Sequence, residues 1–195
     1  MKLTTHDILV IGDPWSQIEV ERDSSLYLLK EGVAEFGITA WWVEPSALIV
    51  RDNKILARAV PIEFRQGSVV PFYKLENKRK YVALEKMKKV LWRCDPPVTL
   101  ETHRLWALFS SVSSVQLVND PVAMGAWNEK FALLRYKKWS IPSLIVNASA
   151  TFRSEFVRLS KKKTFLIKPA AAAASYGVQT LPKEPRRAEQ VFKKI

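Results

Sequence analysis

The stretch 6-HDILVIGDPWSQIEVERDSSLYLLKEGVAEFGITAWWVE-44 decides how the rest of the chain is read. Residues 8–11 form an apolar run bracketed by Asp7 and Asp13, short enough for a strand and too short to cross a bilayer. From Ser24 the pattern changes to a period of three and four: Leu26, Leu29, Val33 and Phe36 fall on one side of a helix. Asp23 or Ser24 can open that helix by accepting backbone N–H groups, and Gly37 can close it in a left-handed turn. Residues 38–44 then read as a second buried strand, so the unit is strand, helix, strand. Such a unit forms parallel pairs and predicts a sheet covered on both faces.

Working outward, 47-ALIVRD-52 and 54-KILARAVPIEF-64 flank Asp52-Asn53, a pair that favours tight hairpins. The α/β rhythm then resumes: 87-MKKVLWRCD-95 ends in a strand, 102–112 is a helix with Leu105, Leu108 and Phe109 on one face, and 114–120 is a further strand. A second part starts near Pro121. Its expected elements are a helix over Asn128–Lys138, a strand over Pro142–Asn147, a helix over 149–160 with Phe152, Phe156 and Leu159 inward, paired strands over 164–169 and 175–181, and a closing helix over 186–195. The fold class is therefore α/β: a doubly wound amino-terminal sheet domain over residues 1–120, then an incomplete α+β unit over 121–195.

The 195 residues are 48% hydrophobic and 11% aromatic, enough for one good core or two small ones. No signal peptide or membrane span is apparent, and the single cysteine, Cys94, excludes an internal disulfide and suits a reducing cytoplasm. A formal net charge of +12 admits an anionic ligand surface, yet the basic groups Lys74, Lys78, Arg79 and Lys80, then Lys86, Lys88 and Lys89, and Lys161–Lys163 also read as solvated faces. Nucleic acid is not an expected partner: tryptophans such as Trp42 and Trp106 sit inside apolar elements rather than between exposed cations. His6 and His103 are isolated, so no histidine metal site is expected.

Four clusters fall at strand ends or helix starts, where open α/β sheets hold ligands: 12-GDP-14 with 23-DSS-25, 92-WRCDPP-97, 119-NDP-121 with 128-NEK-130, and 166-LIKP-169. Each alone is consistent with an ordinary turn or cap. In this order and spacing they resemble the bacterial glutathione synthetases, members of the ATP-grasp ligases, over essentially the whole chain. The matching residues are Asp13, Pro14, Asp23, Ser24 and Ser25; Arg93, Asp95, Pro96 and Pro97; Asn119, Pro121, Asn128, Glu129 and Lys130; and Lys168 with Pro169.

The resemblance implies a pre-ATP-grasp domain followed by the first part of an ATP-grasp domain. It implies ATP-dependent ligation of γ-glutamylcysteine to glycine through an acyl phosphate, with ATP and Mg²⁺ as cofactors in the complete enzyme. It places Lys130, Lys168 and Ser175 at the nucleotide and Asp13, Ser24, Ser25 and Arg93 at the peptide substrate, with Arg93, Lys130 and Lys168 facing one cleft. Between its last two strands the family carries an Asp-Gly and a glycine-rich loop, whereas this sequence has Ala170–Ala174 followed by Ser175. A stretch altered or written in as alanine, and a natural loop that lost its glycines, both remain open. Backbone N–H groups can crowd a phosphate cheaply only where no Cβ intervenes. The sequence therefore predicts little nucleotide affinity and no ligase activity, and the magnesium ligands and adenine hinge of the family are not assignable. The alternative is a non-catalytic binding or scaffolding module with a basic, anion-binding face. A homo-oligomer is left open.

Overall fold

The computed structural model describes residues 7–64, 72–74, 76–112, 115–128, 130–159, 164–172 and 175–195. His6, Glu129, Lys161–Lys163 and Ala173–Ala174, all named above, lie outside them. The chain divides into two compact units, one of residues 1–95 and 101–125, the other of 96–100 and 126–195.

In the first unit, β1 (Asp7–Ile11), α1 (Ser24–Phe36) and β2 (Thr39–Val43) form the expected crossover, with β1 and β2 parallel from Asp7↔Thr39 to Ile11↔Val43. Asp23, not Ser24, is the cap: its Oδ1 accepts from the Leu26 N–H at 2.8 Å. Gly37 closes the helix at φ 62°, its N–H donating to the Val33 carbonyl at 3.1 Å. On the other side of β1 lies β7 (Lys89–Trp92), also parallel, and beyond it β8 (Leu117–Val118), reached through α2 (Leu100–Ser110).

The excursion of residues 48–83 builds the opposite edge. β3 (Leu48–Arg51) and β4 (Lys54–Phe64) form a hairpin whose Asp52 and Asn53 both have positive φ, 52° and 57°, as a type I′ turn needs. β4 is long enough to serve four partners. Its first half pairs with β3 and β6 (Lys80–Ala83), its second with β2 and β5 (Phe72–Lys74), giving the order β3-β4-β2-β1-β7-β8.

The period of two along the strands sorts the core into faces. Val10, Ala40, Trp42, Val60 and Ile62 cluster with Leu26 and Leu29 of α1, and Leu91 packs against them. The next residue, Trp92, points the other way and meets Trp106 and Phe109 of α2, both at 5.9 Å between ring centroids. One helix thus covers each face, and central strands buried on both sides need the unbroken apolar runs that β1 and β2 carry. Asp7, buried in this interior, accepts from the Trp41 indole N–H at 3.2 Å.

The second unit has a smaller core. After α3 (Pro121–Ala126) ends the first unit, α4 (Ser149–Leu159), the antiparallel pair β9 (Leu166–Ile167) and β10 (Gln179–Thr180), and α5 (Pro185–Phe192) bury Phe152, Phe156, Leu181 and Ala188 together. Phe152 stacks on Phe156 and on Phe192. Glu184 starts α5, its carboxylate accepting from the N–H groups of Arg186 and Arg187 at 2.8 and 2.7 Å, with Pro185 in the first turn.

Three expectations are corrected here. Asn128–Lys138 is not one helix but two 3₁₀ turns, Phe131–Leu134 and Lys137–Trp139, broken at Tyr136 (φ −109°, ψ 45°). The Asn128 side chain takes the Lys130 N–H at 2.9 Å, a local bond that competes with helix propagation, and the apolar residues form no single stripe that packing could reward. No strand forms over Pro142–Asn147, where Pro142 has no N–H to give a ladder and the Ser143 hydroxyl bonds back to the Ile141 carbonyl. Residues 175–177 make a turn, with Ser175 and Gly177 at φ 62° and 70°, so the last strand shrinks to Gln179–Thr180.

Candidate functional site

The carboxyl end of β1 is the topological switch point of the sheet: the chain leaves β1 toward β2 on one side, while β7 and β8 extend the sheet on the other. The loops after β1 and β7 therefore diverge and leave a crevice between them. A cleft of about 300 Å³ occupies it, lined by Asp13, Arg22, Asp23, Ser24, Ser25 and Arg93 among others.

Its floor depends on Gly12. A Cβ at this position would lie 2.1 Å from Cζ2 of Trp42, so the backbone passes flat against the indole. The Trp42 N–H donates to the Asp13 carbonyl at 3.3 Å and its ring meets Trp15 edge-on at 5.3 Å. Across the crevice the Arg93 N–H continues the ladder to the Ile11 carbonyl at 2.8 Å, and Asp13 Oδ2 accepts the Asp95 N–H at 2.8 Å. Asp13 thus ties the two loops together.

Arg93 reaches back over the start of α1. Its Nε donates to Ser25 Oγ at 2.7 Å and its Nη2 to Ser24 Oγ at 3.1 Å. Ser25 is buried, which fixes one end of the guanidinium. These hydroxyls use two of the five N–H donors of an arginine, and Arg93 has no carboxylate partner among the described residues. The free donors suit a planar carboxylate. Asp13, Glu19, Asp23 and Asp95 line the same space, so cationic and anionic groups of a ligand both find complements there. Cys94 does not act in this cleft as a nucleophile: burial, then the charges of Asp13 and Asp95, push its pKa up to about 12, and it remains a thiol at neutral pH.

Of the residues expected at the peptide substrate, Asp13, Ser24, Ser25 and Arg93 line this one cleft. Sequence reasoning passed over Arg22 and the pairing of Gly12 with Trp42. Arg22 sits just before the helix cap, and the flat approach of Gly12 has no signal in a single sequence.

The residues expected at the nucleotide lie in the second unit. Lys130 Nζ donates to the carbonyl of Ala172 at 2.6 Å and to that of Ala170 at 3.3 Å. Asn128 Nδ2 also donates to Ala170 at 2.9 Å, and the Val98 N–H to the Ala171 carbonyl at 3.2 Å. Three successive carbonyls of the alanine loop are thereby turned toward donors of the unit. A phosphate cradle needs the opposite polarity, N–H groups converging on the anion. Lys168 is exposed just after β9, and Ser175 is exposed in the left-handed region. As cations the two lysines fit a polyphosphate, but the loop in this conformation does not, and no group of three His, Cys, Asp or Glu side chains is placed to hold a metal among the described residues. Arg93 belongs to the first unit and the two lysines to the second, and the common cleft expected of them is not described.

The fold has likenesses among solved structures, an ATP-grasp ligase included. D-alanyl-alanine synthetase A from Vibrio cholerae matches with a TM-score of 0.57 at 13% identity over 98% of this chain and 56% of its own. The ATP-grasp ligase PsnB matches with a TM-score of 0.50 at 15% identity over 98% of this chain and 62% of its own. These likenesses establish the fold class. The family described as prokaryotic glutathione synthetase, N-terminal domain, matches residues 7–124, and the chain belongs to that family. The glutathione synthetase of Parasynechococcus marenigrum is 30% identical over 176 residues, and that of Nostoc sp. 30% identical over 178. The matches take in 87% and 86% of this chain and 53% of each relative, so the chain spans about half the length of the relatives it matches.

Proposed function

We propose that this chain carries the peptide-recognition part of a glutathione-synthetase-type ligase: the β1/β7 cleft holds γ-glutamylcysteine, with Arg93 on a substrate carboxylate and the acidic wall on its ammonium group. The observation that carries this reading is the guanidinium of Arg93, held by two serine hydroxyls and left without a carboxylate among the described residues. Asp13 acts through the backbone by tying the two loops, and Ser24 and Ser25 orient the guanidinium.

ATP with Mg²⁺ would supply the phosphoryl group that activates the peptide carboxylate, and glycine would be the amine that completes the ligation. Lys130 and Lys168 are the residues of this chain suited to the phosphates, and Ser175 sits at the loop that would border them. With carbonyls of that loop on Lys130, the chain as it stands binds nucleotide weakly and does not ligate. The same contact favours a second reading, a non-catalytic module that binds a small anion and never turns over.

Titration with γ-glutamylcysteine, followed by tryptophan emission, tests the first reading because Trp42 lines the cleft and Trp15 touches it. A charge-assisted hydrogen bond contributes about 1.5–3 kcal/mol, so Arg93→Ala should weaken the dipeptide by roughly 10- to 100-fold. Equal affinity in both proteins would reject it.

A further inference from the structure

A second, smaller cavity opens beside the cleft in the first unit. It holds about 30 Å³ and is lined by Trp42, Glu44, Arg58 and Arg79 among others. Trp42 also lines the β1/β7 cleft, so one indole is a wall of both. The register of the sheet explains the arrangement. β2 and β4 pair with Trp42 opposite Val60, and two residues further along this antiparallel register Glu44 comes opposite Arg58. Leu91, Trp42 and Val60 pack together on the α1 side of the sheet. Side chains alternate along a strand, so Arg93, Glu44 and Arg58, each two residues from one of these, turn to that same side.

Neither Glu44 nor Arg58 has an ion-pair partner among the described residues. A carboxylate and a guanidinium side by side, each lacking a partner, complement a zwitterion such as an amino-acid head group. The cavity has room for a few atoms, not for a further residue. Spacing sets which ligand reaches it. From β7 through β1 and β2 to β4 are three sheet spacings of about 4.8 Å, which separates the strands of Arg93 and Arg58 by roughly 14 Å. The two carboxylate carbons of γ-glutamylcysteine are seven bonds apart, about 9 Å when extended, and two inclined arginine side chains take up the difference.

We infer that Glu44 and Arg58 form the subsite for the head group of the γ-glutamyl residue, Arg58 on its carboxylate and Glu44 on its ammonium group, and that Glu44 thereby selects the γ-linkage. This deepens the reading of the cleft given above and rests on it. The ammonium group assigned to the acidic wall then sits at the end of that wall, where Glu44 continues it past Trp42. In α-glutamylcysteine the carboxylates are also seven bonds apart, at the same span of about 9 Å, but the ammonium lies toward the middle of the molecule, out of reach of Glu44.

Calorimetric titration of the full chain, Arg58→Ala and Glu44→Gln tests this with three probes: γ-glutamylcysteine, α-glutamylcysteine, and glutarylcysteine, which keeps both carboxylates and lacks the ammonium group. Arg58→Ala should weaken γ-glutamylcysteine and glutarylcysteine at least tenfold. The parent chain should prefer the γ- to the α-linked dipeptide at least tenfold, and Glu44→Gln should remove that preference while leaving glutarylcysteine unchanged. Neither side chain has an ion pair to lose, so urea midpoints should stay at the parent value. Equal binding of γ-glutamylcysteine by the parent and Arg58→Ala, no linkage preference in the parent, a preference that survives Glu44→Gln, or glutarylcysteine weakened by Glu44→Gln would overturn the inference. Arg93→Ala separates the two claims. If it weakens the dipeptide while these variants do not, the cleft reading stands and the subsite falls; if it has no effect, both fall.

Discussion

Replacing Gly12 by alanine tests the construction of the cleft floor. The added Cβ would sit 2.1, 2.5 and 2.9 Å from Cζ2, Cη2 and Cε2 of Trp42. The ring cannot simply step aside: Trp42 is 2% exposed, donates to Asp13 and abuts Trp15. Relief requires a shift of β1 or of the indole. Overpacking of this kind costs about 1–3 kcal/mol, and losing the indole hydrogen bond about 0.5–1.5 more, so Gly12→Ala should destabilise by roughly 2–4 kcal/mol. At roughly 2–4 °C per kcal/mol for a chain of this size, Tm should fall by about 5–15 °C, and dipeptide binding should weaken with it. Gly32→Ala is the control. There the new Cβ would lie 2.7 Å from Cδ1 of Ile38, the free end of a flexible side chain, and alanine in a helix gains about 0.5–1 kcal/mol over glycine. Paired urea melts by tryptophan emission measure both. Gly12→Ala within about 0.5 kcal/mol of the parent chain would refute the packing argument, for which the steric threshold of core substitutions is the basis.

The remaining expectations concern ends and titrations. Gly37→Ala meets no atom within 4 Å but must hold φ 62°, so it should cost about 1–2 kcal/mol by strain alone, read from the same melts. Asp23→Ala removes the cap on the Leu26 N–H and should cost about 1 kcal/mol. Cys94, raised from 9.0 to about 12, contributes stability that is full below pH 9 and lost as pH climbs toward 12; its alkylation at pH 8 should be slow in the native protein and fast in urea. Glu184 is held below its usual value by the N–H groups of Arg186 and then Arg187, so the start of α5 should fray as pH falls through that lowered pKa, seen as lost helical ellipticity.

The first unit was legible because its signals are local and agree with one another. Period-three spacing from Leu26, the cap at Asp23, the glycine at 37 and the Asp52-Asn53 turn each determine backbone geometry within a few residues. Asp13, Ser24, Ser25 and Arg93, singled out at strand ends and a helix start, line one cleft, whereas Arg22 beside them carried no signal in the sequence. What the sequence did not disclose was long-range: that Gly12 is needed to clear an indole thirty residues away, and that Arg93 would be held by two hydroxyls of α1. The second unit was harder because its elements are short and draw their stability from packing. Over Asn128–Lys138, good helix formers yielded to a local Asn128 bond with no apolar stripe to oppose it. At the alanine loop the lack of glycine was plain, but the turning of three carbonyls toward Lys130, Asn128 and Val98 was not.

The proposed function separates peptide recognition, assigned to Arg93, from nucleotide handling, assigned to Lys130, Lys168 and the alanine loop. Calorimetric titration of γ-glutamylcysteine, run with and without Mg-ATP and followed by addition of glycine, tests this most directly. The account predicts a dipeptide Kd that is the same with and without nucleotide, and no glutathione. A Kd tightened more than tenfold by Mg-ATP, or glutathione formed by the purified chain, would contradict it.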